Sequence, residues 1–587
     1  MLWEERIIKK EITDLLLAWC DALADLQLDD PGRPVFDGGV LCPACGRIHG
    51  RCHEAAYPLL CAAELTGQEK YLRAAEKAFA WGENLLCDDG SMYNDPNSDW
   101  NGTTVFGAIA LHDALYYHGG LLAAAKKTAW EARLRKMGEW LSIHLTSERS
   151  AHLNYYAANA CAMALLGRYF GEQKYLALAG ELAGHCLSCV TENGLLCGEG
   201  GKADARTPKG CAAVDAGGYN AEETLPSLAR YALTVGDAAA LAKIKELYFT
   251  HLSWMLPDGA WDNSVGSRSF KWTWWGSRTT DGCTDALFRL GKDDPVFAEA
   301  AWRNFAQLKA CTHGGLLYGG PDYHRRGEPP CVHHTFSHAK ALAGALDGGL
   351  YCFPRVPLPS DRPAPLTEYP ELATCRLAMG DWRADITAND LPVRKGARAS
   401  GGVISLLWHK DCGPVVACSM AEEGMAEPLN QQLSITKEGL RSVCPRIEAT
   451  LQGKRWAQYF DLGATMQAKE TENAVAVHVD AFLCDEAHRH LEAAGGCTLQ
   501  YKLTKDVFVI EGRVSPGLAA HARYVLPVIA EQAKVEVKKG SFAKDEPAEI
   551  FSLIPGFLCR EYVIVPDRTG RFALRIGVNK MEADALY

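Results

Sequence analysis

Leu65-Thr-Gly-Gln-Glu-Lys-Tyr-Leu-Arg-Ala-Ala-Glu-Lys-Ala-Phe-Ala-Trp81 reads as the end of one helix, a turn at Gly67, and a second, amphipathic helix. The same figure returns around Gly171 in Tyr169-Phe-Gly-Glu-Gln-Lys-Tyr-Leu-Ala-Leu-Ala-Gly-Glu-Leu-Ala-Gly-His185. Further copies centre on Gly119, Gly236, Gly291 and Gly348, which spaces the six glycines by 52, 52, 65, 55 and 57 residues. Each glycine follows an apolar-periodic stretch, the place where a helix closes through left-handed backbone. A two-helix unit cannot bury its own apolar faces and must stack on its neighbours. Six hairpins make either an open solenoid or a closed (α/α)6 toroid. The segments between hairpins hold most of the Trp, His and Arg, as loops gathered at one mouth would, so closure is expected.

Outward from the repeats, the chain changes character. Residues 353–374 form a proline-rich linker, beginning Phe353-Pro-Arg-Val-Pro-Leu-Pro-Ser-Asp-Arg-Pro-Ala-Pro365, too proline-dense for a helix or a central strand. Beyond it Val403–His409, Ala474–Phe482, Val507–Val514, Tyr524–Ile529, Glu561–Val565 and Arg571–Val578 are short β-rich runs. The expected architecture is therefore α+β and multidomain: a toroid over residues 1–352 and an antiparallel β-sandwich over 375–587.

Bulk composition agrees with two cores in 587 residues. A net charge of −11 argues against nucleic acid, whose phosphates need a basic face. No run approaches the length of apolar chain that spans a bilayer. The first helix lacks the apolar core of a signal peptide, and the 22 cysteines are scattered as small core residues of a reducing compartment. A cytoplasmic location is expected, and homo-oligomerisation is left open.

Five clusters, all in the helical half, carry chemistry. Cys42-Pro-Ala-Cys45-Gly-Arg47-Ile-His49-Gly-Arg51-Cys52 has the ligand types of a zinc site at Cys42, Cys45, His49 and Cys52. The competing reading is an ordered loop that brings His49 and Arg51 to the mouth. Asp99 lies in a polar turn, where it caps a helix or meets substrate. His152-Leu-Asn154-Tyr155 opens a helix with two proton-transfer candidates, His152 and Tyr155, beside a carboxylate contact, Asn154. Tyr219-Asn220-Ala-Glu222-Glu223 sets two acids at a helix start, where capping competes with catalysis. The fifth, Asp262 to Asp281, includes Arg268, Trp272, Trp274, Trp275 and Arg278, the aromatic and cationic groups that stack on and pair with an anionic sugar. His324, Arg325, His333, His334 and His338 follow, the last two one helical turn apart and readable as ligands, proton carriers or polar lining.

This plan resembles the heparinase II/III-type superfamily, whose members mostly cleave uronic-acid polysaccharides by β-elimination. The resemblance implies an Asn-Asn-His motif at a toroid helix start, and here Leu153-Asn154-Tyr155 stands in its place. A later acid and Tyr-His motif corresponds to Glu222-Glu223-Thr-Leu225-Pro226, and a His-rich signature at the sandwich start to Lys395-Gly-Ala397-Arg398. With those histidines missing, the chain is also similar in overall pattern to toroid-plus-sandwich exo-β-glucuronidases.

The leading expectation is thus an exo-acting, β-glucuronidase-like glycoside hydrolase on anionic, uronate-bearing glycans. Glu222 or Glu223 would act with Asp262 or Asp281 across the glycosidic bond. The alternative is a lyase, with Asn154 and Arg278 on the carboxylate and Tyr155, Tyr219 or His152 moving protons. A non-catalytic carbohydrate-binding protein is the third reading.

Overall fold

The computed structural model describes residues 2–94, 100–147, 152–198, 203–215, 217–349, 351–392, 398–423, 441–492, 495–544 and 546–579. Its helical half is built of antiparallel pairs. Helix α1 spans Leu2–Asp25, α2 Ala56–Thr66, α3 Glu69–Trp81, α4 Thr104–His118, α5 Ala124–His144 and α6 Leu153–Phe170. Then come α7 (Gln173–Ser188), α8 (Leu225–Val235), α9 (Ala238–Leu252), α10 (Thr284–Leu290), α11 (Pro295–Ala310) and α12 (Val332–Gly348).

Helices α2, α4, α6, α8, α10 and α12 pack in a ring in which α12 returns to α2. The outer partners are α3, α5, α7, α9 and α11, and the sixth pair joins α12 to α1 across the whole domain. The toroid is closed, as expected. Sequence shows why the inner ring goes inside: α4 and α12 are buried on nearly every side, whereas α3 buries only Tyr71, Ala74, Ala75, Ala78 and Trp81.

The turn glycines divide into two kinds. Gly67, Gly171 and Gly236 close their helices in the left-handed region, with φ of 67°, 74° and 76°. Gly349, not Gly348, does so for α12, at 73°. Gly119 and Gly291 keep right-handed helical backbone. At Gly291 the reason is space, because a Cβ there would stand 2.6 Å from that of Ala298.

The C-terminal half is antiparallel throughout. A five-stranded meander runs Leu366–Tyr369, Thr374–Met379, Trp382–Thr387, Val403–His409 and Gly413–Ala417. Two six-stranded sheets follow. In one of them Ala474–Phe482 alternates buried and exposed residues, the pattern of a strand with one face on a core. The first strand starts at Leu366, inside the segment expected to be linker: the proline-dense part ends at Pro365, and Leu366–Tyr369 pairs with Thr374–Met379.

The meander lies on the toroid segment between α9 and α10. Arg376 reaches the Ser253 carbonyl at 3.0 Å, Asp385 at 3.1 Å and Asp262 at 3.4 Å. Ser419 donates to the Ser269 carbonyl, and Ser264 donates to Ser405. Around these bonds Trp272 and Trp274 join Leu406, Trp408, Leu553 and Phe557 in one apolar cluster. No helix among the described residues is long and apolar enough to cross a membrane.

Candidate active site

The two acids of Asn220–Thr224 sit in a π-helical turn that leads into α8. Such wide turns are rare and concentrate at functional sites. Gly217 and Gly218 bring it against its neighbours: a Cβ on Gly218 would lie 2.6 Å from Trp261 and 2.8 Å from the Asn263 oxygen. Asn220 ties the turn down by donating to the carbonyls of Leu196 and Asp215, both at 3.1 Å.

The turn places Glu222 and Glu223 on one cavity of about 80 Å³, at the centre of the inner ring, together with Arg230, Asp281, Asp285 and Lys340. Glu222 accepts from the Ser277 backbone at 2.9 Å and the Thr280 hydroxyl at 2.8 Å, and its other oxygen lies 3.8 Å from His338. Glu223 accepts from the Asp281 backbone N–H. Burial, and then the Asp281 charge, push the Glu223 carboxyl up to about 8. Asp281 behaves oppositely: although burial opposes it, Arg51 at 2.7 Å and Lys340 at 2.8 Å hold it below the usual carboxylate range. Glu54 completes the cage by accepting two bonds from Arg51 and one from Lys340.

Arg51 connects this cavity to a second group of residues. Its guanidinium stacks 4.3 Å from the Phe106 ring, and Phe106 leans on Tyr155 with centroids 5.7 Å apart. The Tyr155 hydroxyl accepts from the Trp100 indole at 3.1 Å. Burial raises the Tyr155 hydroxyl above its usual range, against the pull of Arg268 and Arg51, while Glu223 adds to the rise. Arg268 lies over the Tyr219 ring at 5.6 Å and 3.9 Å from Asp215. Asn154 is buried, and its side-chain oxygen has no hydrogen-bond partner among the described residues. His152 precedes α6 as its N-cap residue, without a side-chain cap bond.

Other expected residues stand elsewhere. Asp262 is fully buried between the domains, bound to Arg376 and the Ser264 backbone, which leaves it no access to a glycosidic bond. Arg278 is buried too, donating to Tyr323 and the Leu553 carbonyl of the sandwich. The three tryptophans are core: Trp272 donates to the Trp261 carbonyl, Trp275 to the Tyr318 carbonyl, and Trp274 packs edge-on against Phe557. His333, His334 and His338 are buried on α12, and burial holds the first two well below the usual histidine range. His324 stacks on His313 at 4.4 Å, and exposed Arg325 pairs with Asp322. Asp99 and residues 395–397 lie outside the described residues.

Residues that the sequence reading passed over are Glu54, Phe106, Arg230 and Lys340. Glu54 had a signal, its i,i+3 spacing from Arg51. Lys340 had none, since only ring closure brings α12 beside Arg51.

Comparison with known proteins decides the family. The ulvan lyase N-terminal domain model matches residues 16–353, and the ulvan lyase C-terminal domain model matches 366–544. The chain belongs to the ulvan lyase family. It is 36% identical over 547 residues to a broad-specificity ulvan lyase of Formosa agariphila, covering 91% of this chain and 85% of that protein. Among solved structures it is similar to chondroitin AC lyase from Streptomyces coelicolor, at 11% identity and TM-score 0.49, over 98% of this chain and 80% of that one. It is also similar to a heparan sulfate lyase from Pedobacter heparinus, at 12% identity and TM-score 0.44, over 98% and 84%.

Family membership makes the chain an enzyme of the polysaccharide-lyase class and overturns the hydrolase expectation. The missing histidines that suggested a glucuronidase did not mark a change of reaction class. In this ulvan lyase family member, the pairing of Glu222 or Glu223 with Asp262 across a sugar also fails on geometry, because Asp262 belongs to the domain joint.

Proposed function

We propose that this enzyme cleaves ulvan, as an anionic uronate-bearing polysaccharide, by β-elimination at the group around Tyr155. The observation that carries the reading is the setting of Tyr155. Its hydroxyl accepts from Trp100 and its ring leans on Phe106, with Arg268 and Arg51 as the cations that act on the hydroxyl.

Elimination beside a carboxylate needs a cation on the carboxylate, a base for the C5 proton and an acid for the leaving oxygen. Arg268 takes the first role, with Asn154 beside Tyr155 in the chain as a second carboxylate contact. Tyr155, as its phenolate, removes the C5 proton; the C–H electron pair becomes the new C4–C5 double bond as the C4–O bond breaks. The Tyr155 hydroxyl then returns its proton to the leaving oxygen. Cations near the phenolate favour its formation, which burial alone opposes. Arg51 is held by Glu54 and Asp281 and acts as a fixed charge.

The test is incubation with ulvan while ultraviolet absorbance of the unsaturated uronate and new reducing ends are followed together. Both signals should rise in step, and both should collapse in Tyr155→Phe. Reducing ends without absorbance would refute elimination, and full activity in Tyr155→Phe would refute the assignment of the base.

A further inference from the structure

Away from the cavity, the first loop of the toroid meets the start of its last helix through sulfur. The Cys42 and Cys331 sulfurs are 3.8 Å apart, and the His49 Nε2 lies 3.5 Å from both the Cys45 and Cys331 sulfurs. The ligand atoms of Cys42, Cys45 and His49 all fall within 4.8 Å of one another. A zinc ion with bonds of about 2.3 Å to sulfur and about 2.0 Å to nitrogen defines a tetrahedron whose edges are about 3.8 Å between sulfurs and about 3.5 Å between sulfur and nitrogen. The three separations match those edges. We infer that Cys42, Cys45, His49 and Cys331 form a structural zinc site that fastens the first toroid loop to the last helix.

The backbone is arranged for it. Cys42 and Cys45 sit on a tight turn in which Cys42 accepts from the Gly46 N–H and donates to the Arg47 carbonyl, both at 2.9 Å. Gly46 takes φ of 65°, and nothing crowds its Cβ position, so conformation alone asks for glycine. The set is closed, with Cys42, Cys331 and His49 buried and Cys45 partly so, as structural rather than catalytic zinc requires. Sulfur contacts at 3.8 Å are far from the roughly 2.0 Å of a disulfide. Three soft sulfurs and one imidazole suit zinc over magnesium or calcium.

Cys52 is not part of the set. Its thiol is buried and pushed up to about 12, and Cys331 takes the place that spacing alone assigned to it. Two other groupings lack the same character. In Cys61, His118 and Asp347, the Asp347 carboxylate already accepts from Tyr57 at 2.6 Å, and His118 pairs with Glu64. In Cys484, His490 and Asp461, Asp461 accepts from the Gly463 and Phe482 backbones.

The site's position gives it a task. Arg51 follows His49 by two residues, and Lys340 lies on the helix that Cys331 caps; the two cations converge on Asp281. The metal would hold both sides of that cage in register, acting as a positioning device outside the chemistry.

Protein purified without chelator should contain one zinc per chain by mass spectrometry. Removing it should expose three further reactive thiols. Cobalt in its place should give thiolate charge-transfer bands and the intense visible bands of tetrahedral cobalt. Cys331→Ser and Cys45→Ser should lose the metal, and Cys52→Ser should keep it. If the serine variants do not fold, the cobalt spectrum of the unmodified chain decides alone. Sub-stoichiometric zinc after zinc-supplemented expression, or cobalt without thiolate bands, would overturn the assignment.

Discussion

Asp281 gives its backbone N–H to Glu223 at 2.9 Å while its own carboxylate takes Arg51 and Lys340. Two acids in contact thereby acquire opposite character. The cations belong to Asp281, which stays charged, and Glu223, buried beside that charge, keeps its proton to about 8.

A dependence of stability on pH follows. Glu223 titrates at 4.5 in the unfolded chain and at about 8 in the fold. Below 4.5 both states are protonated and its contribution is fully present. As pH climbs toward 8 the unfolded chain releases its proton first, so stability falls across that window and then levels. Glu223→Gln cannot ionise, so thermal melts should place its Tm a few degrees above the parent at alkaline pH and level with it in acid. An unchanged slope in the variant would show that another group titrates there.

Tyr155→Phe should lower kcat on ulvan by roughly 10²–10⁴, the usual worth of a positioned proton-transfer group. Its Tm should barely move, since the substitution keeps the ring and removes only the hydroxyl that accepts from Trp100. Arg268→Ala should cost about 10²-fold in kcat/KM, with partial recovery in Arg268→Lys if charge is what matters. Steady-state kinetics on ulvan separate these outcomes from simple misfolding.

The joint between domains should respond through stability alone. Arg376→Met strands two buried carboxylates, Asp262 and Asp385, and should cost about 3–5 kcal/mol in denaturant unfolding. Asp262→Asn should melt earlier yet keep its turnover. Loss of turnover in a folded Asp262→Asn would restore that residue to the chemistry.

The fold was legible because its signals are local. Hairpin period, proline-dense spacer and alternating strands are each written within a few tens of residues, and Val403–His409 and Ala474–Phe482 form with the expected bounds. The site was legible only where its partners are neighbours in the chain, as Glu222 and Glu223 are. Trp272 and Trp274 were misread because a sugar platform and a domain interface use the same flat rings. What separates the two is Trp408 and Phe557, which lie far along the chain. Cys331 and Lys340 were invisible for the same reason. The hydrolase reading took the loss of motif histidines as the loss of a reaction, although Tyr155 occupies the motif position itself.

The wide turn at Asn220–Thr224 makes the two acids separable from the scaffold that carries them. It spends one more residue than ordinary helical winding requires. A chain shortened by Ala221 has a ready way to absorb the deletion, by tightening into a continuous helix with α8. The two acids would then be turned about the axis away from their present partners, Ser277 and Thr280 for Glu222 and the Asp281 backbone for Glu223. Such a deletion should leave Tm close to the parent's while erasing the alkaline fall in stability, so heat tolerance and the proton held in the ring can be tuned independently.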